Sequence, residues 1–250
     1  MPEQRSDLDI HPRKALVTGA TAGIGRAVHV ALGHDQLGFV AQRVGQGLTP
    51  RAGWQGRVPP RRRRHRGRRP LPGRRHRQDL RQARRSRQQC RLHRQPGPLT
   101  TQTAQAYDTV FNTNVRGLLF SLKHELRVMV EQGHGSIVNL SSTFGERGGR
   151  GAGLYVASKH AVNGFTRSAA LEVATEGIRV NAVAPGPVAT SGLDNFAGGE
   201  EATGALAAGV PMGRLGDVDE IADVIQFLTS HQARFVTGQI VAVNGGKTAL

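Results

Sequence analysis

A hydroxyl, a phenol and an ammonium group stand close together in the middle of the chain. Ser142 ends an apolar run, and Tyr155 and Lys159 follow it four residues apart. In a helix that spacing places both side chains on one face, about one turn apart. A free phenol has a pKa of about 10, and a neighbouring ammonium group favours its phenolate form. The set could therefore transfer a proton near neutral pH while Ser142 hydrogen-bonds the substrate oxygen.

The elements around these residues are those of a parallel sheet covered by helices. Ile137, Val138 and Leu140 lie in a run typical of a buried strand, so Ser142 falls at a carboxyl end, where open α/β sheets bind ligands. The residues after Tyr155 are helical in pattern, and Gly177 is a natural stop. Further strands are predicted at 14–18, 37–41, 179–184 and 240–243, with helices at 104–132 and from 217 onward.

A glycine-rich turn follows the predicted first strand and opens a helix that runs to about residue 32. Glycines let the backbone approach a pyrophosphate, and the amides at a helix N-terminus attract its negative charge. An ordinary turn is the alternative, but the strand before and the helix after favour a dinucleotide site. The candidate cofactor-binding residues here are Gly19, Thr21, Gly23, Ile24 and Gly25.

Taken together, these motifs resemble the short-chain dehydrogenase/reductase family. The resemblance covers roughly residues 13–43 and 97–248, through TGATAGIG, NTNVRG, the Ser-Tyr-Lys set, PGPVAT and the closing TGQIVAVNGG. It implies an α/β fold: a three-layer, Rossmann-type, doubly wound parallel sheet in a single domain over 1–250. It also implies an enzyme that uses a nicotinamide cofactor to interconvert a secondary alcohol and a ketone.

The resemblance gives the matched polar residues their roles. Ser142, Tyr155 and Lys159 are expected to be catalytic, and Tyr155 and Lys159 also to bind the cofactor. Asn114, within NTNVRG, is expected to hold a water that links Lys159 to solvent. A helical asparagine that is solvated or caps a helix is the alternative for this residue.

The remaining cofactor contacts implied by the resemblance come from two loops. Pro185, Gly186, the Val188 backbone and the Thr190 hydroxyl are expected to fix the carboxamide and orient one nicotinamide face. Arg43 ends the predicted second strand and favours the 2′-phosphate of NADP over NAD, unless it is only a solvated strand-end arginine. The following segment, 191–209, is expected to be a mobile lid that carries substrate contacts, including Leu193 and Phe196, with an exposed linker as the alternative. The sequence leaves the identity of the substrate open.

The net charge of +16 belongs to one segment of the chain. Between Arg57 and Arg94 there are 17 arginines and a single acid, Asp79, whereas the rest of the chain has 17 basic and 17 acidic residues. Taken literally, the arginines could neutralise nucleic-acid phosphates with strong salt dependence. Nucleic acid is nonetheless disfavoured as a partner, because the segment has no lysine and no interleaved aromatic residues for base stacking.

Residues 44–95 also lack the hydrophobic periodicity that a parallel sheet requires. They stand where the resembled family has its third and fourth strands, the fourth ending in Asn-Asn-Ala-Gly. Codons for Gln88, Gln89, Cys90 and Arg91, read from their second base, permit Asn-Asn-Ala-Gly. We therefore predict a double frameshift within 44–95. If the polypeptide has this sequence as written, an inactive or misfolded remnant is the alternative to an active enzyme.

Location and assembly follow from composition and from the resemblance. No apolar run reaches the roughly twenty residues that span a bilayer, and the chain start is not an apolar signal segment, so a cytoplasmic protein without membrane contact is expected. Its single Cys90 excludes an internal disulfide framework. A homo-oligomer, a tetramer in the resembled family, is expected. Two predicted helices carry more apolar residues than packing on one face of a sheet obviously needs, which supports an oligomer, with core packing as the alternative. These residues are Val115, Leu118, Leu119, Leu122, Val162, Phe165, Ala169 and Val173.

Overall fold

The computed structural model describes residues 23–24, 27–28, 97–190, 193 and 200–249. All of them belong to one of the two units into which the chain divides, the unit formed by Met1–Gln46 and Arg94–Leu250. The predicted strands at 14–18 and 37–41 and the segment 44–95 lie outside the described residues. Within the described ranges, no helix has the length and apolar character needed to cross a membrane.

Three parallel strands form the described sheet, in the order β1 (Gly135–Leu140), β2 (Ile178–Pro185) and β3 (Ile240–Val243). Gly135 pairs with Ile178, and Ala182 pairs with Ile240. All three elements lie within two residues of their predicted positions, because each apolar run is short and bounded by glycine or polar residues. Since the strands are parallel, the loops that follow β1 and β2 emerge at one edge of the sheet.

The helices that surround the sheet include two with a side-chain cap at the start, Thr103 and Asp217. The predicted helix 104–132 is present as α1 (Ala104–Phe111), a π-helical turn (Asn112–Arg116) and α2 (Gly117–Gln132). The later helices are α3 (Gly153–Glu172), α4 (Glu200–Ala208) and α5 (Val218–Thr229), and the 3₁₀ turns are Leu99–Thr101, Thr143–Gly145, Ala174–Glu176 and His231–Ala233. Asp217 and Glu220 form a capping box at the start of α5, where the sequence predicted a helix from residue 217 onward. Gly177 follows the 3₁₀ turn Ala174–Glu176, which comes after α3, and has a left-handed φ of 69°.

Two apolar clusters lie on opposite faces of the sheet and make the three layers. On one face, Ile137, Ile178 and Val180 pack against residues of α2 and α3. On the other face, Val183 packs against α5 and against Val28. The alternation of Val180 and Val183 between the two faces follows from the two-residue period of a strand. The α/β three-layer fold predicted from the sequence is confirmed.

The apolar residues that the sequence assigned to a subunit interface belong mostly to the core. Leu122, Ala169 and Val173 are buried in the cluster that covers Ile137, and Leu118 and Phe165 pack against that cluster. Val162 is buried as well. Core packing was therefore the correct interpretation for these residues, because α3 packs against both β2 and α2 and so buries more than one face. Leu119 differs from them, since its side chain is 44% exposed.

Candidate active site

Ser142 lies in the loop that follows β1, at the carboxyl edge of the sheet. It is buried and caps the 3₁₀ turn Thr143–Gly145, where its Oγ accepts a hydrogen bond from the Phe144 N–H at 3.2 Å. The Gly145 N–H donates to the Ser142 carbonyl oxygen at 2.8 Å. These two bonds fix the backbone on either side of the hydroxyl.

Tyr155 and Lys159 lie on the first two turns of α3 and turn toward the same loop. The Lys159 Nζ is 5.6 Å from the centroid of the Tyr155 ring, and it donates to the Leu140 carbonyl oxygen at 2.8 Å. The Phe144 ring meets the Tyr155 ring edge to face, with 6.1 Å between their centroids. Leu140 and Phe144 are the residues two before and two after Ser142. The structure thus gathers Ser142, Tyr155 and Lys159 around one short loop.

Burial changes the proton affinity of Lys159. Its ammonium group is out of water, and this desolvation lowers the pKa of Lys159 from 10.5 to about 8. The described contacts of the group are a carbonyl oxygen and an aromatic ring, neither of which carries a full negative charge. A lysine in this condition can hold or release a proton near neutral pH.

Asn114 lies in the π-helical turn between α1 and α2 and reaches α3. Its Nδ2 donates to the Ser158 Oγ at 3.1 Å, and the Ser158 hydroxyl donates to the Tyr155 carbonyl oxygen at 2.8 Å. Within the turn, the Gly117 N–H donates to the Asn112 carbonyl oxygen, the bond pattern that adds one residue to a helix. Such turns often occur at functional sites. The structure therefore places Asn114 beside the residue that precedes Lys159.

The loop that follows β2 is held by backbone hydrogen bonds. The Gly186 N–H donates to the Val243 carbonyl oxygen at 3.0 Å, the Ala189 N–H donates to the Gly216 carbonyl oxygen at 2.8 Å, and the Gly216 N–H donates to the Pro187 carbonyl oxygen at 3.0 Å. The Val188 side chain is buried in the core. A Cβ on Gly186 would lie 3.0 Å from the Asn244 Cα, so a side chain here would press against the Asn244 backbone.

The two predicted cofactor loops meet in the described structure. Gly23 has a left-handed φ of 54°, and a Cβ there would lie 3.6 Å from the Thr190 Cγ2. Ile24 packs against the core cluster that contains Val188. A glycine turn against a Pro-Gly loop at the carboxyl edge of a parallel sheet fits a dinucleotide, because it lets a phosphate-bearing ligand approach the backbone. The other predicted contacts of this set lie outside the described residues: Gly19, Thr21, Gly25 and Arg43.

The expected lid contains a helix, α4, that Lys247 connects to the loop after β1. The Leu193 N–H donates to the Thr190 carbonyl oxygen at 2.8 Å. After α4, the Gly209 carbonyl oxygen accepts from the Lys247 Nζ at 2.7 Å, and the Lys247 carbonyl oxygen accepts from the Arg147 Nη1 at 2.7 Å. Arg147 follows Ser142 in the same loop. Phe196, the second predicted lid contact, lies outside the described residues.

The sequence did not single out the buried residues that hold the catalytic loop. Asn163 is buried on α3 and bonds both Ser141 and Gly145. The only sequence signal is its place four residues after Lys159, on the face that carries Tyr155. An asparagine there could equally be solvated, so the pattern by itself did not distinguish it.

Other features of the described residues do not compete with this site. A groove of about 530 Å³ is almost entirely apolar and is lined by Leu99, Tyr107, Phe111, Leu154 and neighbouring residues, but not by Ser142, Tyr155 or Lys159. Among the described residues, no cluster of three His, Cys, Asp or Glu side chains could hold a metal ion.

Comparison with known sequences places the chain among nicotinamide-linked oxidoreductases. The model of the enoyl-(acyl carrier protein) reductase family matches residues 91–248. The 3-oxoacyl-(acyl-carrier-protein) reductase FabG of Staphylococcus aureus is 40% identical over 142 residues, which are 57% of this chain and 57% of that protein. The cis-4-hydroxycyclohexanecarboxylate dehydrogenase of Sinomonas cyclohexanicum is 42% identical over 153 residues, 61% of each chain. The chain thus aligns with about three fifths of the length of these relatives.

Solved structures match the fold over more of the chain. Levodione reductase is 25% identical with a TM-score of 0.74, and the match covers 95% of this chain and 98% of that one. ElxO with bound NADP is 23% identical with a TM-score of 0.71, covering 96% of this chain and 100% of that one. These likenesses show the Rossmann-type α/β fold.

Proposed function

We propose that this chain, which belongs to the short-chain dehydrogenase/reductase family, interconverts a secondary alcohol and a ketone by hydride transfer with NADP or NAD. The observation that carries the proposal is the convergence of Tyr155 and Lys159 on the two sides of Ser142. These residues can bind a carbonyl or hydroxyl oxygen, move its proton and stabilise the charge that results. A small alcohol or carbonyl compound is the partner that this chemistry requires.

In the direction of reduction, the Ser142 hydroxyl donates a hydrogen bond to the carbonyl oxygen of the substrate. A bound nicotinamide cofactor supplies the hydride. As negative charge develops on the oxygen, Tyr155 donates its phenolic proton to it, which yields the alcohol and leaves a phenolate. Lys159 stabilises that phenolate because its ammonium group lies beside the Tyr155 ring in a buried environment.

Lys159 and Asn114 provide for the return of the proton. Because the pKa of Lys159 is lowered to about 8, its ammonium group can return a proton to Tyr155 and be recharged near neutral pH. Asn114, held against Ser158 by the π-helical turn, lies next to this route and is proposed to hold the water that connects it with solvent.

NADP is proposed in preference to NAD, with Arg43 as the selecting residue. A guanidinium group suits bidentate contact with a 2′-phosphate, and such charged hydrogen bonds contribute about 1.5 to 3 kcal/mol. Structures similar to this fold include one with NADP bound. Turnover measured with NADPH and NADH tests the choice: Arg43→Asp is expected to remove a preference for NADPH of roughly ten-fold or more. Equal or faster turnover with NADH before the substitution would show that Arg43 does not select the cofactor.

A homo-oligomer, by analogy with the family a tetramer, is proposed for the active form. The groove lined by Leu99, Tyr107, Phe111 and Leu154 is apolar, and Leu99 and Tyr107 are exposed, which suits coverage by a second copy of the chain. Light scattering coupled to gel filtration measures the mass at micromolar concentration. A uniform monomer would contradict the proposal.

We further propose that residues 44–95 derive from a double frameshift in a gene for such an enzyme. The family match begins at residue 91, near the downstream end of this segment. The charge of the segment and its lack of strand periodicity are both unlike the rest of the chain. Resequencing the gene tests the proposal: the out-of-frame nucleotides at codons 88–91 should spell Asn-Asn-Ala-Gly, and any other reading there would refute it.

The experiment that tests the enzymatic function uses the full chain with the reading frame of residues 44–95 restored, which is the wild type of this and the later tests. It is assayed with NADPH and a panel of ketones, with Tyr155→Phe as the variant. The substitution keeps the ring that contacts Phe144 and Lys159 but removes the proton donor. Turnover should fall by three or more orders of magnitude, while NADPH still shifts the melting temperature, because the variant retains the cofactor loops. A Tyr155→Phe enzyme with normal turnover would refute the proposal.

A further inference from the structure

Asn163 occupies the third position of a stripe along α3. Tyr155, Lys159 and Asn163 follow one another at four-residue spacing, so they lie on one helical face. The first two turn toward the reacting end of the site. Asn163 is buried, with 2% of its surface exposed, and its amide group points into the loop after β1.

The amide group of Asn163 bonds both ends of the turn that contains Ser142. The Ser141 Oγ donates to the Asn163 Oδ1 at 2.5 Å, and the Asn163 Nδ2 donates to the Gly145 carbonyl oxygen at 2.9 Å. Ser142 stands between these two contacts. A carboxamide is suited to this task because one planar group both accepts and donates a hydrogen bond.

The turn is pressed onto α3 at this place. A Cβ on Gly145 would lie 2.6 Å from the Ser141 Oγ, 2.8 Å from the Asn163 Nδ2 and 3.0 Å from the Lys159 carbonyl oxygen. A side chain there would displace the Ser141 hydroxyl and the Asn163 amide group. The distance from the Ser142 loop to the helix that carries Tyr155 and Lys159 is therefore set at Asn163.

We propose that Asn163 is a positioning residue that sets the place of the Ser142 hydroxyl relative to Tyr155 and Lys159. The inference rests on the proposed function, in which Ser142 binds the substrate oxygen. Asn163 does not touch the substrate; it acts through the turn 141–145. Misplacement of a group that must meet the reacting atoms by about 1 Å can cost on the order of a hundred-fold in rate.

A buried pair on the same helix provides the matched control. The Asn139 Nδ2 donates to the Thr166 Oγ1 at 3.0 Å, so α3 is also bonded to the body of β1, away from the Ser142 turn. Asn163→Ala breaks two buried hydrogen bonds between α3 and the turn after β1, and Thr166→Val breaks one between α3 and β1 itself. A merely structural role predicts similar consequences for both, whereas a positioning role predicts different consequences for catalysis.

The test measures kcat, KM and the melting temperature of the full chain with NADPH and a ketone that the wild type reduces. Asn163→Ala should lower kcat by on the order of a hundred-fold with a much smaller change in KM, and Thr166→Val should lower the melting temperature with kcat near that of the wild type. The double variant Asn163→Ala with Ser142→Ala should be no slower than Ser142→Ala alone, because both changes remove the same contribution. Ser141→Ala, which breaks only one of the two bonds, should show a smaller loss of kcat and serves if Asn163→Ala fails to fold.

Two results would overturn the inference and leave the proposed function standing. One is a normal kcat in both Asn163→Ala and Ser141→Ala while Ser142→Ala is impaired. The other is a double variant in which the two losses of kcat multiply. Absence of turnover in the wild type with any ketone would instead contradict the proposed function. Hydrogen exchange tests the positioning role of Asn163 independently of turnover. Asn163→Ala should speed amide exchange at Phe144 and Gly145 and Thr166→Val should not; equal exchange in both variants would overturn it.

Discussion

The loops that follow β1 and β2 emerge at the same edge of the sheet but are held by different means. Side chains help to hold the loop after β1. Asn163 bonds Ser141 and Gly145, on either side of Ser142, and Lys159 bonds the Leu140 carbonyl oxygen. The loop after β2 is held mainly by its own backbone, paired with Val243 and Gly216. The difference shows that the loop after β1 depends more on the identity of distant side chains, whereas the loop after β2 depends more on backbone pairing; both contain a crowded glycine, Gly145 and Gly186.

The first prediction removes the hydroxyl at the centre of the side-chain-held loop. Ser142→Ala should lower kcat roughly a hundred-fold, the usual cost of a lost oxyanion donor, with a small change in KM. Steady-state rates with a fixed ketone and saturating NADPH measure the effect. Ser136 provides the control, because it is less buried than Ser142 and lies near the other end of β1. Ser136→Ala should leave kcat unchanged. An unimpaired Ser142→Ala enzyme would break the comparison.

A second prediction separates catalysis from stability at Lys159. The fall of its pKa from 10.5 to about 8 corresponds to a cost of about 3 kcal/mol for keeping the charge buried. Lys159→Met should therefore abolish turnover but raise the free energy of unfolding at pH 7 by up to about this amount.

The pH dependence of this gain in the free energy of unfolding tests whether burial of the charge is its cause. Below pH 8 the lysine is charged in both the folded and the unfolded chain, so the wild type bears the whole cost. Between about pH 8 and 10.5 the unfolded chain binds more protons, so the stability of the wild type rises with pH and the advantage of Lys159→Met disappears. Urea denaturation at pH 7, 9 and 10.5 measures this. A gain from Lys159→Met that does not change with pH would contradict burial as the cause.

A third prediction tests the backbone-held loop. Gly186→Ala should cost about 1 to 3 kcal/mol of stability and weaken NADPH binding, because the new methyl group meets the Asn244 backbone. Gly148, in the catalytic loop, has no atom within 4 Å of where a Cβ would be, so Gly148→Ala should change stability by about 0.5 kcal/mol or less. Urea denaturation and a thermal-shift titration compare the two, and equal effects would show that crowding at Gly186 is unimportant.

The smallest predicted effect concerns the connection between the catalytic loop and the lid helix. Lys247→Met removes the hydrogen bond to the Gly209 carbonyl oxygen but leaves the backbone contact with Arg147. A less restrained α4 should raise KM for the ketone by a factor of about two to five with kcat nearly constant, since lid closure contributes to substrate binding. Unchanged KM would show that this contact does not restrain the lid.

Much of this arrangement was predicted from the sequence because its signals are local. The strands appear in the sequence as short apolar runs, and the four-residue spacing of Tyr155 and Lys159 places both on one face of a helix. The cap at Asp217 is equally local. Motifs of this kind depend on neighbours within one helical turn, so no tertiary information is needed to find them.

The features that the sequence did not predict depend on distant partners. Asn163 acquires its role from Ser141 and Gly145, and the carbonyl oxygen of Leu140 becomes a partner of Lys159 only when α3 packs against β1. Leu122 and Ala169 were assigned to a surface because periodicity does not say how many neighbours a helix has; α3 packs against both α2 and the sheet. The roles of Ser142, Tyr155, Lys159, Asn114 and Arg43 stay predictions.

The most direct test of hydride transfer at the Ser142–Tyr155–Lys159 site uses NADPH that carries deuterium at both positions of C4 of the dihydronicotinamide, so that the label is transferred from either face. The full chain is incubated with this cofactor and a ketone, and the alcohol is analysed by mass spectrometry. Transfer should place one deuterium on the carbinol carbon of the wild-type product, and Tyr155→Phe should form almost no labelled alcohol while still binding NADPH. Unlabelled alcohol from the wild type, or equal labelling by Tyr155→Phe, would contradict the account.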